Sequence, residues 1–187
     1  MHRTAAVTHF EPSSARRMVP CFDEPNFKAN WTVTIIHPEG TTALSNGKEI
    51  GEVREASSPW ITSTFEETPK MSTYLLAIAV GEFKFTEDYT EANVRFRIWS
   101  RPEALDQTSS YLRFGIALLD FYDNHFGIKY PLPKLDILAV PDFLASAMEN
   151  WGLNTYRETE LWDDYEASPI LLGAHELAHQ VHFLETQ

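Results

Sequence analysis

The sequence predicts an α+β protein in which a strand-rich first part is followed by a part that contains helices. Before residue 93, apolar and polar residues alternate in short runs, which is the period of half-buried strands. Between Leu105 and Phe126, apolar residues recur at helical spacing. A second apolar run, residues 170–174, leads into the pentapeptide His-Glu-Leu-Ala-His. We therefore expect two domains, residues 1–92 and 93–187.

Composition excludes several classes of protein. The formal net charge of −12 disfavours nucleic acid as a partner and suits cationic ligands such as peptide amino termini. The single cysteine, Cys21, excludes an internal disulfide and a cysteine-rich zinc site. No apolar run approaches the ~18 residues of a membrane helix, and the first residues lack the apolar region of a signal peptide. We expect no membrane segment in this chain.

Three strands are predicted in the first hundred residues. Trp31, Val33 and Ile35 alternate with threonines, which is typical of a half-buried strand. Residues 74–80 are apolar on both faces and predict a central strand. Residues 94–98 alternate again. Together these runs favour a mostly β first domain.

The second part mixes one helix with further strands. Ser100 and Glu103 have the spacing of a capping box, which predicts a helix start that leads into the periodic segment. Gly127 is placed to end this helix. Beyond it, residues 135–140 predict a buried strand and residues 143–151 a more irregular one.

The pentapeptide at residues 175–179 carries the clearest chemical signal. Ser168 and Pro169 favour a helix start, with serine as N-cap and proline in the first turn. In a helix, His175 and His179 share one face and can both reach one Zn²⁺ at about 2.0–2.1 Å. Glu176 then lies within reach of a metal-bound water, as its general base. Taken alone, the motif leaves open a surface helix with two solvated histidines.

Two further segments accompany this motif. One is Ser-Ala-Met-Glu-Asn-Trp-Gly at residues 146–152, and the other, residues 8–25, contains Thr-His-Phe-Glu and Pro-Cys-Phe-Asp-Glu-Pro. With residues 175–179 they closely resemble the zinc aminopeptidases of the aminopeptidase N and puromycin-sensitive type, over about Thr8 to Gln180. The resemblance implies part of an all-β, saddle-like N-terminal domain, then the start of a thermolysin-like catalytic domain.

The resemblance also implies roles for particular residues. His175 and His179 would be zinc ligands and Glu176 the catalytic base. Residues 146–150 would be an edge strand along which a peptide with a free N-terminus lies. The residues implied in substrate binding are Glu149, Ala147, Ser146, Met148, Asn150, Glu11 and His9.

Within this set, Glu149 and Glu11 would share the free α-amine of the substrate. A carboxylate beside a peptide-binding edge can pair with an ammonium group, which offers three donors to its neighbours. The alternatives stay open: Glu149 can be an exposed strand residue. Glu11 can be a solvated loop carboxylate near Arg16 and Arg17.

The sequence also departs from the family pattern. Ser146 stands where the family has glycine, and His9 where it commonly has glutamine. The third zinc ligand of the family, a glutamate, and its catalytic tyrosine would both fall beyond Gln187, so we expect a chain truncated at both ends. His182 is a poor substitute ligand, because seven residues of helix rise about 10.5 Å from His175.

Two functions follow as expectations. The first is a zinc-dependent aminopeptidase that releases N-terminal amino acids from peptides. The alternative is a catalytically inactive peptide- or protein-binding fragment with an incomplete zinc site. A glycosylation sequon at residues 30–32 favours a location on the extracellular side of the plasma membrane, with the cytoplasm as the alternative. A dimer is compatible with the sequence.

Overall fold

The computed structural model describes residues 4–161 and 168–182. The chain divides into two compact units: the first ends at Glu82 and the second begins at Phe83. The domain boundary predicted from the sequence, between residues 92 and 93, lies ten residues later. The difference arises because β7 (Lys84–Tyr89) pairs along its whole length with β8 (Arg95–Ser100), in the sheet of the second unit. The predicted α+β class is confirmed.

The first unit contains two three-stranded antiparallel sheets, with strand orders β1-β6-β3 and β2-β5-β4. Their strands are β1 (Ala6–Val7), β2 (Thr34–Pro38), β3 (Thr42–Ser45), β4 (Glu49–Arg54), β5 (Trp60–Phe65) and β6 (Ile78–Gly81). Val33 and Ile35 are buried as predicted, but β2 begins three residues after Trp31.

The strand predicted at residues 74–80 is shorter than expected. Residues Thr73–Leu75 form a 3₁₀ turn, and β6 begins only at Ile78. The buried amide of Asn46 explains the change: its Nδ2 donates to Leu75 O at 2.7 Å, and Ala77 N donates to its Oδ1 at 2.8 Å. A side chain thus satisfies backbone groups that a strand partner would otherwise take. β6 is nevertheless central, between β1 and β3.

The second unit is built on one mixed sheet with strand order β10-β11-β9-β8-β7. β8, β9 and β11 run parallel, whereas β7 and β10 are antiparallel to their neighbours. The remaining elements are β9 (Lys134–Val140), β10 (Ala147–Met148), β11 (Leu153–Arg157), α1 (Thr108–Phe126) and α2 (Ser168–His182). α1 packs against β7, β8 and α2. In the described part of the chain, no helix combines the length and the apolar character needed to cross a membrane.

The helix boundaries test the sequence analysis directly. Gly127 ends α1 with φ 67°, the left-handed conformation expected of a helix C-cap. The predicted capping box is wrong: a 3₁₀ helix, Pro102–Gln107, comes first, and the Ser100 hydroxyl donates to the Arg101 carbonyl instead. α2 is described from Ser168 onward, and the N-cap role of Ser168 stays a prediction because residues 162–167 lie outside the described residues. α2 reaches His182, and residues 183–187 lie outside the described residues.

The strand predicted at residues 143–151 is wrong over most of its length, because only Ala147 and Met148 pair in β10. The chain then reverses through a turn closed by a hydrogen bond from Leu153 N to Asn150 O, 2.9 Å. Gly152 in this turn has φ 82°, which glycine adopts without strain. The reversal creates β11, a strand that the sequence analysis did not predict.

A buried ion cluster joins β8 to β9 on the sheet. Asp136 accepts from Arg97 Nε at 2.6 Å and from Trp99 Nε1 at 3.0 Å, and Lys134 Nζ lies 2.7 Å from its second oxygen. The side chains of Lys134 and Asp136 are each 1% exposed. Lys134 Nζ also donates to Gly152 O at 2.8 Å. The cluster thereby anchors the turn that follows β10.

Candidate active site

The two histidines of the pentapeptide converge on the surface of α2. Their Nε2 atoms lie 3.1 Å apart, and their rings are nearly perpendicular, at 84°. Two nitrogen ligands at about 2.0–2.1 Å from a tetrahedral Zn²⁺ are separated by about 3.3 Å. His175 and His179 therefore fit two adjacent corners of such a site. The same separation allows one imidazole N–H to donate to the other ring when no metal is bound.

Within residues 4–161 and 168–182, no group of three or more potential ligands is placed to hold a metal ion. Among the described residues, a metal at this site would therefore have two protein ligands, the imidazoles of His175 and His179. The side chain of His182, the rejected substitute ligand, lies outside the described residues.

Glu176 lies on the buried side of α2, with only 5% of the residue exposed. The negative charge of Glu176 acts electrostatically on two phenols of the second unit, Tyr111 on α1 and Tyr156 on β11. Burial is the main cause that raises the pKa of both phenols, and the charge of Glu176 raises the pKa of each further. Both phenols therefore stay neutral at physiological pH.

Close packing against α1 holds this helix in place. A Cβ added at Gly173 would collide with the hydroxyl of Tyr111 and lie 3.1 Å from the Phe114 ring. The Tyr122 hydroxyl donates to the Ala174 carbonyl at 2.9 Å. The glycine permits this close approach, so the helix that carries the histidines is positioned by α1 as well as by the sheet.

The predicted substrate strand stands at the end of the sheet. Ala147 pairs with Tyr156 and Met148 with Thr155 in β10–β11. Met148 is buried, Ala147 is half-buried and Ser146 is exposed; the Ser146 carbonyl accepts from Arg157 N at 2.9 Å. In the strand order, the other side of β10 has no neighbour among the described strands. Such an edge can pair with an extended peptide.

Glu149 and Asn150 follow β10, and Gln180 of α2 contacts the backbone of Glu149. Glu149 is half-buried, and its carbonyl accepts from Gln180 Nε2 at 2.7 Å. Asn150 is fully buried. The second unit therefore brings residues 146–150 together with the helix of His175, Glu176 and His179.

His9 and Glu11 belong to the first unit. His9 is half-buried after β1, and Glu11 is exposed in the turn that follows. Arg16, which the alternative for Glu11 invoked, pairs with Asp23 at 3.2 Å and with Glu24 at 3.3 Å. That Glu11 shares an amine with Glu149, and that His9 takes part in substrate binding, stay predictions.

Sequence analysis missed Gln180, Tyr111 and Tyr156 as residues of the site. Gln180 had a detectable signal: it follows Gly173 and Leu177 on the buried side of the helix, where a polar residue implies a hydrogen-bonded partner. The tyrosines had none, because aromatic residues at helix and strand spacing are ordinary core residues.

Comparison with known proteins agrees with this geometry. Residues 1–75 match the model of the peptidase M1 N-terminal domain, and residues 111–182 match that of the peptidase family M1 domain. Aminopeptidase N of Haemonchus contortus is 55% identical over 185 residues, which is 95% of this chain and 19% of that protein. Endoplasmic reticulum aminopeptidase 2 of Bos taurus and aminopeptidase M1 of Arabidopsis thaliana are 45% and 44% identical, over 95% of this chain and 19% and 21% of theirs.

The β-rich first unit and the helix-bearing second unit thus contain the segments that match the two domain models of this family. The chain belongs to peptidase family M1. It spans about a fifth of the length of the curated relatives it matches.

Proposed function

We propose that this protein acts as a zinc-dependent aminopeptidase that releases N-terminal amino acids from peptides. The observation that carries the proposal is the 3.1 Å separation of the His175 and His179 Nε2 atoms, on a helix tied to the backbone of Glu149. The names of the relatives, all aminopeptidases, support the same reaction.

His175 and His179 would hold one Zn²⁺, which lowers the pKa of a water and polarises a carbonyl when it is bound. The Glu176 carboxylate takes the proton from the attacking water. Glu149 pairs with the substrate ammonium and so selects peptides with a free N-terminus. The free side of β10 pairs with the substrate backbone, which aligns the first peptide bond with Glu176.

A non-catalytic peptide- or protein-binding role is the second candidate. It is favoured by one observation: the described residues provide two metal ligands rather than three. Two ligands hold Zn²⁺ more weakly than three, and water takes the remaining positions. A dimer is compatible with either role.

One titration separates the two candidates. The 187-residue chain is titrated with Zn²⁺ while hydrolysis of an aminoacyl anilide is followed, together with His179→Ala and the matched control His125→Ala, an exposed histidine on α1. The aminopeptidase predicts zinc-dependent turnover that His179→Ala abolishes and His125→Ala retains. Binding of free-amine peptides without turnover at saturating Zn²⁺ would favour the second candidate. Turnover that is independent of His179 would contradict the metal site.

For location, we propose the extracellular side of the plasma membrane, with the cytoplasm as the alternative. Asn30, the acceptor of the sequon, is exposed. Its Nδ2 donates to Thr68 O at 2.9 Å. Since a glycosylated amide keeps one N–H, this bond is compatible with a glycan. A relative named for the endoplasmic reticulum supports passage through that compartment.

A further inference from the structure

The side-chain amide of Gln180 makes two hydrogen bonds to backbone groups at opposite ends of one turn. Its Nε2 donates to Glu149 O at 2.7 Å, and its Oε1 accepts from Gly152 N at 3.0 Å. Gln180 is fully buried, so neither bond competes with water. One residue of α2 thus holds the entry and the exit of the turn after β10.

The same turn is attached to the sheet through a different group. The Gly152 carbonyl accepts from Lys134 Nζ at 2.8 Å and from Asp136 N at 3.0 Å. These contacts fix the turn to β9. The contacts of Gln180 fix it to α2, and therefore to the residue that directly precedes Gln180, His179.

We propose that Gln180 is a positioning residue that sets where Glu149 lies relative to His175, Glu176 and His179. The proposal rests on the proposed function, in which Glu149 holds the substrate amine and α2 carries the metal ligands and the base. A peptide bond is cleaved efficiently only when the bound amine and the attacking water are held at a set separation. Gln180 links the two parts of the chain that determine this separation.

A primary amide is suited to this position because it offers one donor group and one acceptor. Glutamate keeps the acceptor for Gly152 N but places a carboxylate against the Glu149 carbonyl. Methionine has a similar shape and provides neither hydrogen bond. The two substitutions Gln180→Glu and Gln180→Met therefore separate the two contacts. Gln107 is the matched control, since it is exposed at the start of α1 and makes no side-chain cap hydrogen bond.

The experiment uses the full chain with Zn²⁺ and two analogues of tri-alanine amide, one with a free amine and one N-acetylated. In both, the first peptide bond is replaced by a methylene-amine linkage, so that neither is cleaved during the measurement. Peptide affinity is measured by NMR titration, Zn²⁺ affinity by calorimetry, and exchange of the Gly152 amide hydrogen by NMR. In Gln180→Met, the preference for the free amine should fall about three- to tenfold, the size of one lost hydrogen bond. Exchange at Gly152 should accelerate about tenfold.

Gln180→Glu should lose the amine preference but keep slow exchange at Gly152, and Gln107→Met should change neither. The zinc affinity should stay within about threefold in all variants, since the two histidines are retained. A general loss of helix would instead lower the zinc affinity and the peptide affinity together, and would overturn the proposal.

The proposal is also overturned if the amine preference survives in Gln180→Met, or if exchange at Gly152 is unchanged there. If the unsubstituted chain binds both probes equally, the amine-binding role of Glu149 fails first. In that case the proposed function fails, and the positioning role fails with it.

Discussion

The buried carboxylate of Asp136 offers a quantitative test of how the second unit is held together. Asp136 faces two cations: Arg97 donates to both of its oxygens, at 2.6 and 2.8 Å, and Lys134 Nζ lies 2.7 Å away. Asp136→Asn keeps the volume but removes the negative charge. It leaves two buried cations next to each other, with an amide N–H group that must point toward one of them.

The expected cost follows from this geometry. Removing one partner of a buried ion pair destabilises a protein by about 3–5 kcal/mol, because the other charge stays buried. With a urea dependence of about 1–3 kcal/mol per M, the unfolding midpoint of the second unit should fall by about 2 M. The two remaining cations place this variant at the upper end of the range.

The pH dependence has a defined sign. Burial alone would raise the pKa of Asp136, but Lys134 and Arg97 outweigh it and hold that pKa far below its usual value near 4. A lowered pKa in the folded state adds stability above about pH 4, and this contribution is lost as the pH falls toward the folded-state pKa. The difference in unfolding free energy between the wild type and Asp136→Asn should therefore be constant near neutral pH and shrink below about pH 4.

Urea unfolding followed by circular dichroism and by tryptophan fluorescence, to which buried Trp151 contributes, measures both effects. Asp142→Asn is the matched control, since Asp142 is exposed in the same unit. A loss under about 1 kcal/mol, or a difference that persists unchanged to pH 2, would refute the assigned role of the ion cluster.

Two further predictions concern other parts of the molecule. Gly173→Ala should destabilise the second unit by about 1–3 kcal/mol, less a gain of up to about 1 kcal/mol in helix propensity, because the added methyl collides with Tyr111. Calorimetric zinc titration should also show weaker binding. Gly51→Ala, with nothing within 4 Å, is the control, and equal unfolding midpoints would contradict the packing. When the chain is expressed through a secretory pathway, mass spectrometry should detect a glycan on Asn30 that Thr32→Ala removes. An unmodified secreted chain would contradict the extracellular proposal.

Local patterns in the sequence were sufficient for the helices and several strands. Apolar periodicity and Gly127 predicted α1 through its C-terminal end, and the run 135–140 predicted β9. The spacing of His175 and His179 predicted that their side chains would converge. These features depend on residues within one or two turns of each other, so their geometry follows from helix or strand periodicity alone.

The strand predictions failed in segments whose backbone is held by side chains that are distant in the sequence. The amide of Asn46 binds the backbone 29 and 31 residues away and shortens the strand before β6. The turn at Gly152, which the side chains of Lys134 and Gln180 hold, ends the strand predicted at residues 143–151 and leads into β11, which was not predicted. Periodicity cannot reveal either effect, because each depends on which segments are adjacent in the folded chain.

The sequence by itself thus determined the class of fold, the helix of the His-Glu-Leu-Ala-His motif and the chemical character of its two histidines and glutamate. The tertiary structure alone decided that Arg97 meets Asp136 across 39 residues, and that Gln180 meets the carbonyl of Glu149 across 31. Both contacts require the pairing of strands and the docking of α2 on the sheet. The physical reason is that a hydrogen bond depends on positions to within a fraction of an ångström, and only the packed fold defines those positions.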